Sequence, residues 1–239
     1  MSTIVLGFGK SGISAMRLLL GKGQDVTMYD TRKGIEVPDD ILKAKSEYDI
    51  KVYAGEDIDV SAYDLAVISP GIDLETEIVR KLKDGGAEII SELELAYRYA
   101  KGKFIAITGT NGKTTTTTLA GEIFKNSGLD TRVCGNIGRP VSESLENSNE
   151  DTYFVTEVSS FQLEAISKFK PFISIILNIT EDHLDRHKTM DNYTAAKCRV
   201  FENQNEDDSL IYNADDARVA KCAHEAQTLK ANADRKSVV

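Results

Sequence analysis

The run Thr108-Gly109-Thr110-Asn111-Gly112-Lys113-Thr114 follows the apolar stretch Phe104-Ile105-Ala106-Ile107 and opens a helical pattern that extends to about Asn126. Small residues let successive N–H groups turn toward a phosphate, a lysine reaches the outer phosphates, and a hydroxyl holds magnesium. Lys113 and Thr114 fill the last two roles. The general phosphate-loop pattern wants its first glycine five residues before Gly112, where Ile107 stands, so this is a shortened variant. ATP or GTP is the expected ligand. The threonines that follow, Thr115 to Thr118, read as helix surface and packing.

A second glycine turn, Gly7-Phe8-Gly9-Lys10-Ser11-Gly12, follows Ile4-Val5-Leu6, and Asp30-Thr31-Arg32 ends the next apolar run. Glycines there let the backbone approach a phosphate, the helix N-terminus favours negative charge, and the acid accepts bonds from a sugar or base. NAD is the usual ligand of such a turn. Another nucleotide, or glycines that serve only strand-to-helix packing, are the alternatives. Ser69-Pro70-Gly71 follows Leu65 to Ile68, again at the carboxyl end of a strand, where open α/β sheets bind ligands.

The third constellation is Glu157, closing Tyr153 to Val158, with Asp182, His183, Asp185 and His187 after Ile173 to Asn178. Magnesium takes oxygen ligands and keeps several waters, so Glu157 is the expected first-metal ligand. His183 and His187 stand four apart and could offer both rings to zinc, but no third protein ligand accompanies them. His187 is expected to cap or pack. Lys197, in Tyr193-Thr194-Ala195-Ala196-Lys197, reads on spacing alone as an ordinary helix lysine.

These residues need strands to end beside them. Short β-branched runs alternate with helical patterns from the first residues onward: Ile4 to Leu6, Ile13 to Leu20, Val26 to Tyr29, Leu65 to Ile68, Ile78 to Leu82 and Glu88 to Ile90. That alternation predicts a parallel sheet with helical crossovers. A polar break at Lys101-Gly102-Lys103 starts a second cycle, with strands at Tyr153 to Val158, Ile173 to Leu177 and Ser209 to Tyr212 and a helix over about 216–230. The fold class is therefore α/β: a Rossmann-like parallel-sheet domain over 1–92, then a P-loop α/β ATP-binding domain over 93–239. Lys236-Ser237-Val238-Val239 reads as a strand just beginning, so the second domain is expected to be incomplete and the chain a fragment.

Composition narrows the class further. The 239 residues are 41% hydrophobic and 28% charged, with 4 prolines, as in ordinary globular proteins. The net charge of -9 leaves no electrostatic footprint for nucleic acid or an anionic membrane. Cys134, Cys198 and Cys222 are odd in number and widely spaced, which supports neither a disulfide framework nor a thiolate zinc site and fits a reducing cytoplasm. Met1 runs into Ile4-Val5-Leu6 without a basic stretch, a long apolar run or a small-residue cleavage site, so secretion is not expected, and Phe172 to Ile179 is too short to span a bilayer.

The motifs in this order resemble the Mur ligase family, the ATP-dependent ligases that build the peptide of the bacterial cell-wall precursor. The resemblance covers essentially the whole chain and rests on Gly109-Thr110-Asn111-Gly112-Lys113-Thr114, Gly135-Asn136-Ile137-Gly138 and Glu157-Val158-Ser159-Ser160-Phe161-Gln162-Leu163. With Gly7-Phe8-Gly9, Asp30-Thr31-Arg32 and Ser69-Pro70-Gly71-Ile72, it is similar to the branch that adds D-glutamate to UDP-N-acetylmuramoyl-L-alanine. The resemblance implies that Gly9, Lys10, Ser11, Asp30, Thr31, Arg32, Gly71 and Asn136 line the uridine-sugar site in place of NAD. It implies ATP at Gly109 through Thr115, a first magnesium on Thr114 and Glu157, and a second on His183 and on Lys197 as its carbamate. Lys113, His183 and Lys197 are the implied catalytic residues. A monomer is expected, and complete ligation by this chain is not, because the third domain that closes over ATP in the family is missing. Two other readings stay open: an oxidoreductase with NAD at the first turn, and a non-catalytic nucleotide-binding remnant.

Overall fold

The computed structural model describes residues 2–229; the strand expected at Lys236 to Val239 lies outside the described residues. In chain order the elements are β1 (Thr3–Leu6), α1 (Lys10–Gly21), β2 (Val26–Asp30), α2 (Asp39–Glu47), β3 (Lys51–Ala54), β4 (Leu65–Ile68), α3 (Glu77–Asp84), β5 (Glu88–Ser91) and α4 (Glu92–Tyr99). There follow β6 (Lys103–Thr108), α5 (Lys113–Asn126), β7 (Thr131–Gly135), β8 (Tyr153–Glu157), α6 (Ser160–Leu163), β9 (Ile173–Ile176), α7 (Leu184–His187), α8 (Met190–Cys198), β10 (Ser209–Tyr212) and α9 (Ala217–Leu229).

The strands form two five-stranded sheets, ordered β3-β2-β1-β4-β5 and β10-β9-β6-β8-β7, and every pairing is parallel. Parallel strands need both faces covered, which explains the unbroken apolar runs of β1 and β4. Val5, Met28 and Val67 meet α1 and α2 on one face of the first sheet, while Ile4, Leu6 and Ala66 meet α3 on the other. In the second sheet Ile105 and Ile107 of β6 face the α5 side, and Phe104 and Ala106 face a larger core built with α4 and α8. Phe104 stacks on Phe154 there, with ring centroids 4.8 Å apart.

Helix α4 serves both sheets. Leu95 packs in the first core while Leu93 and Ala96 pack in the second. The fully buried Glu94 carboxylate accepts the backbone N–H groups of Ser167, Lys168 and Phe169 at 2.8–3.0 Å and pairs with Arg98. Three amides and a guanidinium satisfy a charge that burial alone would penalise. Its neighbour Glu92 accepts the Ser142 N–H at 2.6 Å, and Ser142 bonds Ser14 of α1.

Both sheets thus aim their carboxyl ends at loops that carry polar residues. In the first, strand order reverses between β1 and β4, which opens the crevice where such sheets take ligands. In the second, β6 lies between β8 and β9, so Glu157 and Asn178 flank the loop that leaves β6. Among the described residues no helix is long and apolar enough to cross a membrane.

Candidate functional site

At the first sheet, Gly12 sits where the helix start crosses the β1 exit. A Cβ added there would stand 2.0 Å from the Gly7 carbonyl oxygen, so only glycine fits. Gly9 caps α1 with open space around it. Lys10 is exposed, and Ser11 is half-buried on the same first turn. The Asp30 carboxylate is 2% exposed and fully engaged: it accepts the Phe8 N–H at 3.0 Å, the Arg32 N–H at 3.1 Å, and Nε and a terminal nitrogen of Arg32 at 2.8 and 2.9 Å. The Arg32 side chain above all, and the two amides, hold its pKa down at about 2 against the opposing effect of burial. Asp30 therefore acts as the brace that fixes the glycine turn and aims Arg32, with both oxygens occupied. Thr31, Arg32 and Gly71 are exposed at the mouth.

At the second sheet, Gly112 takes φ 81° as the N-cap of α5, a left-handed conformation that favours glycine. Asn178, just after β9, braces this loop: it accepts the Asn111 N–H at 2.9 Å, donates to the Asn111 carbonyl at 3.0 Å, and its own carbonyl takes the Thr110 N–H. Lys113 Nζ folds back on the Thr110 carbonyl at 2.8 Å. Glu157 is 3% exposed, accepting the Thr114 hydroxyl at 2.8 Å and the Asn136 amide at 2.9 Å. Among the described residues no cation pairs with it. Buried carboxylates are ordinarily paired or bind a metal, so this set fits a divalent cation.

Lys197 is not the ordinary helix lysine that its spacing suggests. It is 2% exposed, and its Nζ donates to the Gly109 carbonyl at 2.8 Å and lies 4.6 Å from the Tyr193 ring centre. Burial first, and then the charge of Lys113, pull its pKa down to about 7. An amine that is half neutral near pH 7 is a competent nucleophile toward carbon dioxide.

His183 caps α7 in the left-handed conformation (φ 51°), and Lys188 at the other end has φ 68°. Each such non-glycine position costs about 1 to 3 kcal/mol and persists only where the surroundings dictate it. The His183 ring packs on Phe161 at 5.0 Å and, edge-on, on Tyr193 at 6.3 Å. His187 is buried: its Nε2 meets Ser160 Oγ at 2.9 Å, its Nδ1 faces Glu164, and its ring stacks on Phe161. Burial lowers its pKa, and it packs rather than ligates. Among the described residues no three His, Cys, Asp or Glu side chains converge on a metal-sized point.

The structure gathers Gly109, Lys113, Thr114, Glu157, Asn136 and Lys197 around one loop, with His183 beside them. Thr115 is exposed on the first turn of α5. Asn136, which the resemblance puts with the uridine sugar, sits with the second sheet on Glu157. Asn178 was not legible in the sequence as a site residue. Asn178 stands at a strand's carboxyl end, the one signal that could have marked it.

Two parallel five-stranded sheets with helical crossovers, each with a glycine turn at its carboxyl edge, define a two-unit α/β protein. Residues 1–91 match the Mur ligase MurD-like N-terminal domain, and residues 107–237 match the Mur ligase middle domain. The chain belongs to the Mur ligase family. It is 46% identical over 213 residues to the UDP-N-acetylmuramoylalanine--D-glutamate ligase of Caldanaerobacter subterraneus subsp. tengcongensis, covering 89% of this chain and 47% of that protein. With the enzyme of the same name from Alkaliphilus oremlandii it shares 42% over 243 residues, 100% of this chain and 53% of the relative. The chain thus spans about half the length of the curated relatives it matches. A UDP-N-acetylmuramate:L-alanyl-gamma-D-glutamyl-meso-diaminopimelate ligase from Neisseria meningitides has the same fold, with TM-score 0.58 at 18% identity over 94% of this chain and 74% of that one. These relationships give the oxidoreductase alternative no support.

Proposed function

We propose that this chain carries the uridine-sugar and ATP sites of a ligase that joins D-glutamate to UDP-N-acetylmuramoyl-L-alanine in cytoplasmic peptidoglycan precursor synthesis. The names of its 42–46% identical relatives support the substrate pair. The observation that carries the ATP half is the buried Glu157 carboxylate, held by the neutral donors Thr114 and Asn136 beside the Gly109 to Lys113 loop.

In this reading the amides of residues 109–115 cradle the phosphates, and Lys113 leaves the Thr110 carbonyl to neutralise the outer phosphate. Gly9, Lys10 and Ser11 receive the diphosphate of the sugar nucleotide, and Thr31, Arg32 and Gly71 line its outer end, with Asp30 bracing the turn. Thr114 and Glu157 hold one magnesium, and His183 and carbamylated Lys197 a second. Bound there, the metals supply charge neutralisation on the transferring phosphoryl group. The alanyl carboxylate attacks the γ-phosphorus of ATP, releasing ADP and forming an acyl phosphate. The amine of D-glutamate then attacks the activated carbonyl, and phosphate leaves as the amide forms. The protein works as a monomer.

Calorimetric titration of the chain with UDP-N-acetylmuramoyl-L-alanine and, separately, NADH tests the first-sheet assignment. Saturable binding of the sugar nucleotide alone is expected; binding of NADH alone overturns it.

A further inference from the structure

Arg186, the third residue of α7, reaches from the second sheet's loops to the first sheet. Its guanidinium donates to the carbonyls of Pro70 and Ile72 at 2.8 and 2.9 Å and to the Glu164 carboxylate at 2.6 Å, and it lies 4.4 Å from the Phe161 ring centre. Its Nε–H is buried without a partner. An arginine that leaves one donor unsatisfied while making these four contacts is fixed in place by them.

Both ends of this strut touch a proposed ligand turn. Ser69, beside Pro70, donates its N–H to the Leu6 carbonyl at 3.0 Å, next to the first glycine turn. Phe161, under the guanidinium, carries the His183 ring; His183 meets Tyr193, whose hydroxyl lies 3.2 Å from Thr110 Oγ1 in the phosphate loop. A continuous set of packed and bonded groups therefore runs from one turn to the other through a single side chain.

We propose that Arg186 is a positioning residue that couples the two ligand sites, holding the His183 turn against the Ser69 to Ile72 turn so that ordering either one orders the other. The inference rests on the two-site reading above. A ligand that rigidifies one turn has already ordered the second, so the second ligand binds more tightly. By linkage the enhancement is equal in both directions.

The test is calorimetry of a non-hydrolysable ATP analogue with magnesium, with and without saturating UDP-N-acetylmuramoyl-L-alanine, on the wild-type chain and on Arg186→Ala and Arg186→Lys. In the wild type each ligand is expected to tighten the other about fivefold or more. In both variants that factor falls to within about twofold of unity, while affinity for the analogue alone changes less than about threefold. Lysine keeps the charge but cannot reach two carbonyls and a carboxylate together, so it decides the matter should the alanine variant fail to fold. A purely structural arginine would weaken both affinities and leave the factor intact. Wild-type coupling in Arg186→Lys overturns the inference alone, whereas absence of binding by either ligand in the wild type overturns the two-site reading and the inference with it.

Discussion

The Lys197 Nζ stands 2.8 Å from the carbonyl oxygen of Gly109, joining α8 to the first glycine of the loop that leaves β6 across 88 positions of sequence. The contact places an amine with a pKa near 7 at the rim of the loop, beside the charge of Lys113.

That depressed pKa makes stability depend on pH in a defined direction. Unfolded lysine titrates near 10.4, so between about pH 7 and 10 the unfolded chain binds more protons and stability rises with pH. Below pH 7 the folded chain bears a buried charge. Lys197→Met is therefore expected to be more stable than wild type at pH 6, by roughly 2 kcal/mol, with the gain shrinking toward pH 10. Thermal unfolding of both proteins at pH 6, 8 and 10 checks this, and a gain independent of pH would contradict it.

Asp30 has the opposite sign. Its pKa lies near 2 when folded, so its contribution is present above about pH 4 and disappears as the pH falls toward 2. Asp30→Asn should cost about 1 kcal/mol at pH 7, a modest figure because Arg32 is 65% exposed and solvent screens the pair. The difference from wild type should vanish by pH 2. Urea unfolding at pH 7 and at pH 2 reads both limbs.

Glu157→Gln preserves the shape of the proposed metal site but removes its charge. Without magnesium the variant should be at least as stable as wild type, since a buried carboxylate lacking a cation is a burden. With magnesium and nucleotide present, the wild type should gain a rise in Tm that the variant lacks. Melting curves with and without EDTA separate the two states; an equal rise in both proteins removes Glu157 from the metal site.

Two neighbouring glycines should behave differently. Gly12→Ala would drive its methyl group to 2.0 Å from the Gly7 carbonyl oxygen and should destabilise the chain by about 2 kcal/mol or more. Gly9→Ala meets nothing within 4 Å at φ -78° and should leave Tm nearly unchanged. Its sugar-nucleotide affinity should nonetheless fall about tenfold, because the phosphate needs the space a methyl would fill. Unchanged affinity would detach Gly9 from the ligand.

Lys113→Ala should weaken binding of the ATP analogue tenfold or more, on the order of 1.4 kcal/mol, and leave sugar-nucleotide binding intact. Competition titration with the two ligands measures each separately.

The parts of the fold that were legible are those written in contiguous residues. Runs such as Ile4 to Leu6 and Phe104 to Ile107 are buried on both faces and therefore uninterrupted, and the glycine turns follow them directly. The edge strands β3 and β7 escaped notice because each has a solvated side: Lys51 is exposed, and Cys134 is the one fully buried residue of Thr131 to Gly135. Helix α1 starts at Lys10, one turn before the apolar period begins at Ile13, since the glycine turn rather than hydrophobic patterning nucleates it. Lys197 and Arg186 carried no local mark at all. Their environments are made by residues 88 and 116 positions away, and no window along the chain contains both partners.

Helix α4 gives Leu95 to one core and Leu93 and Ala96 to the other, while Glu94 staples the segment from Ser167 to Phe169. The two halves consequently share a wall instead of abutting through a seam. A cut before this helix strips its Leu95 cover from the first core, and a cut after it parts the Glu94 carboxylate from its three amides and takes Leu93 and Ala96 from the second core. Any exchange of the first sheet between relatives, in the laboratory or in descent, must carry the helix and its Glu94 cradle as one inheritance.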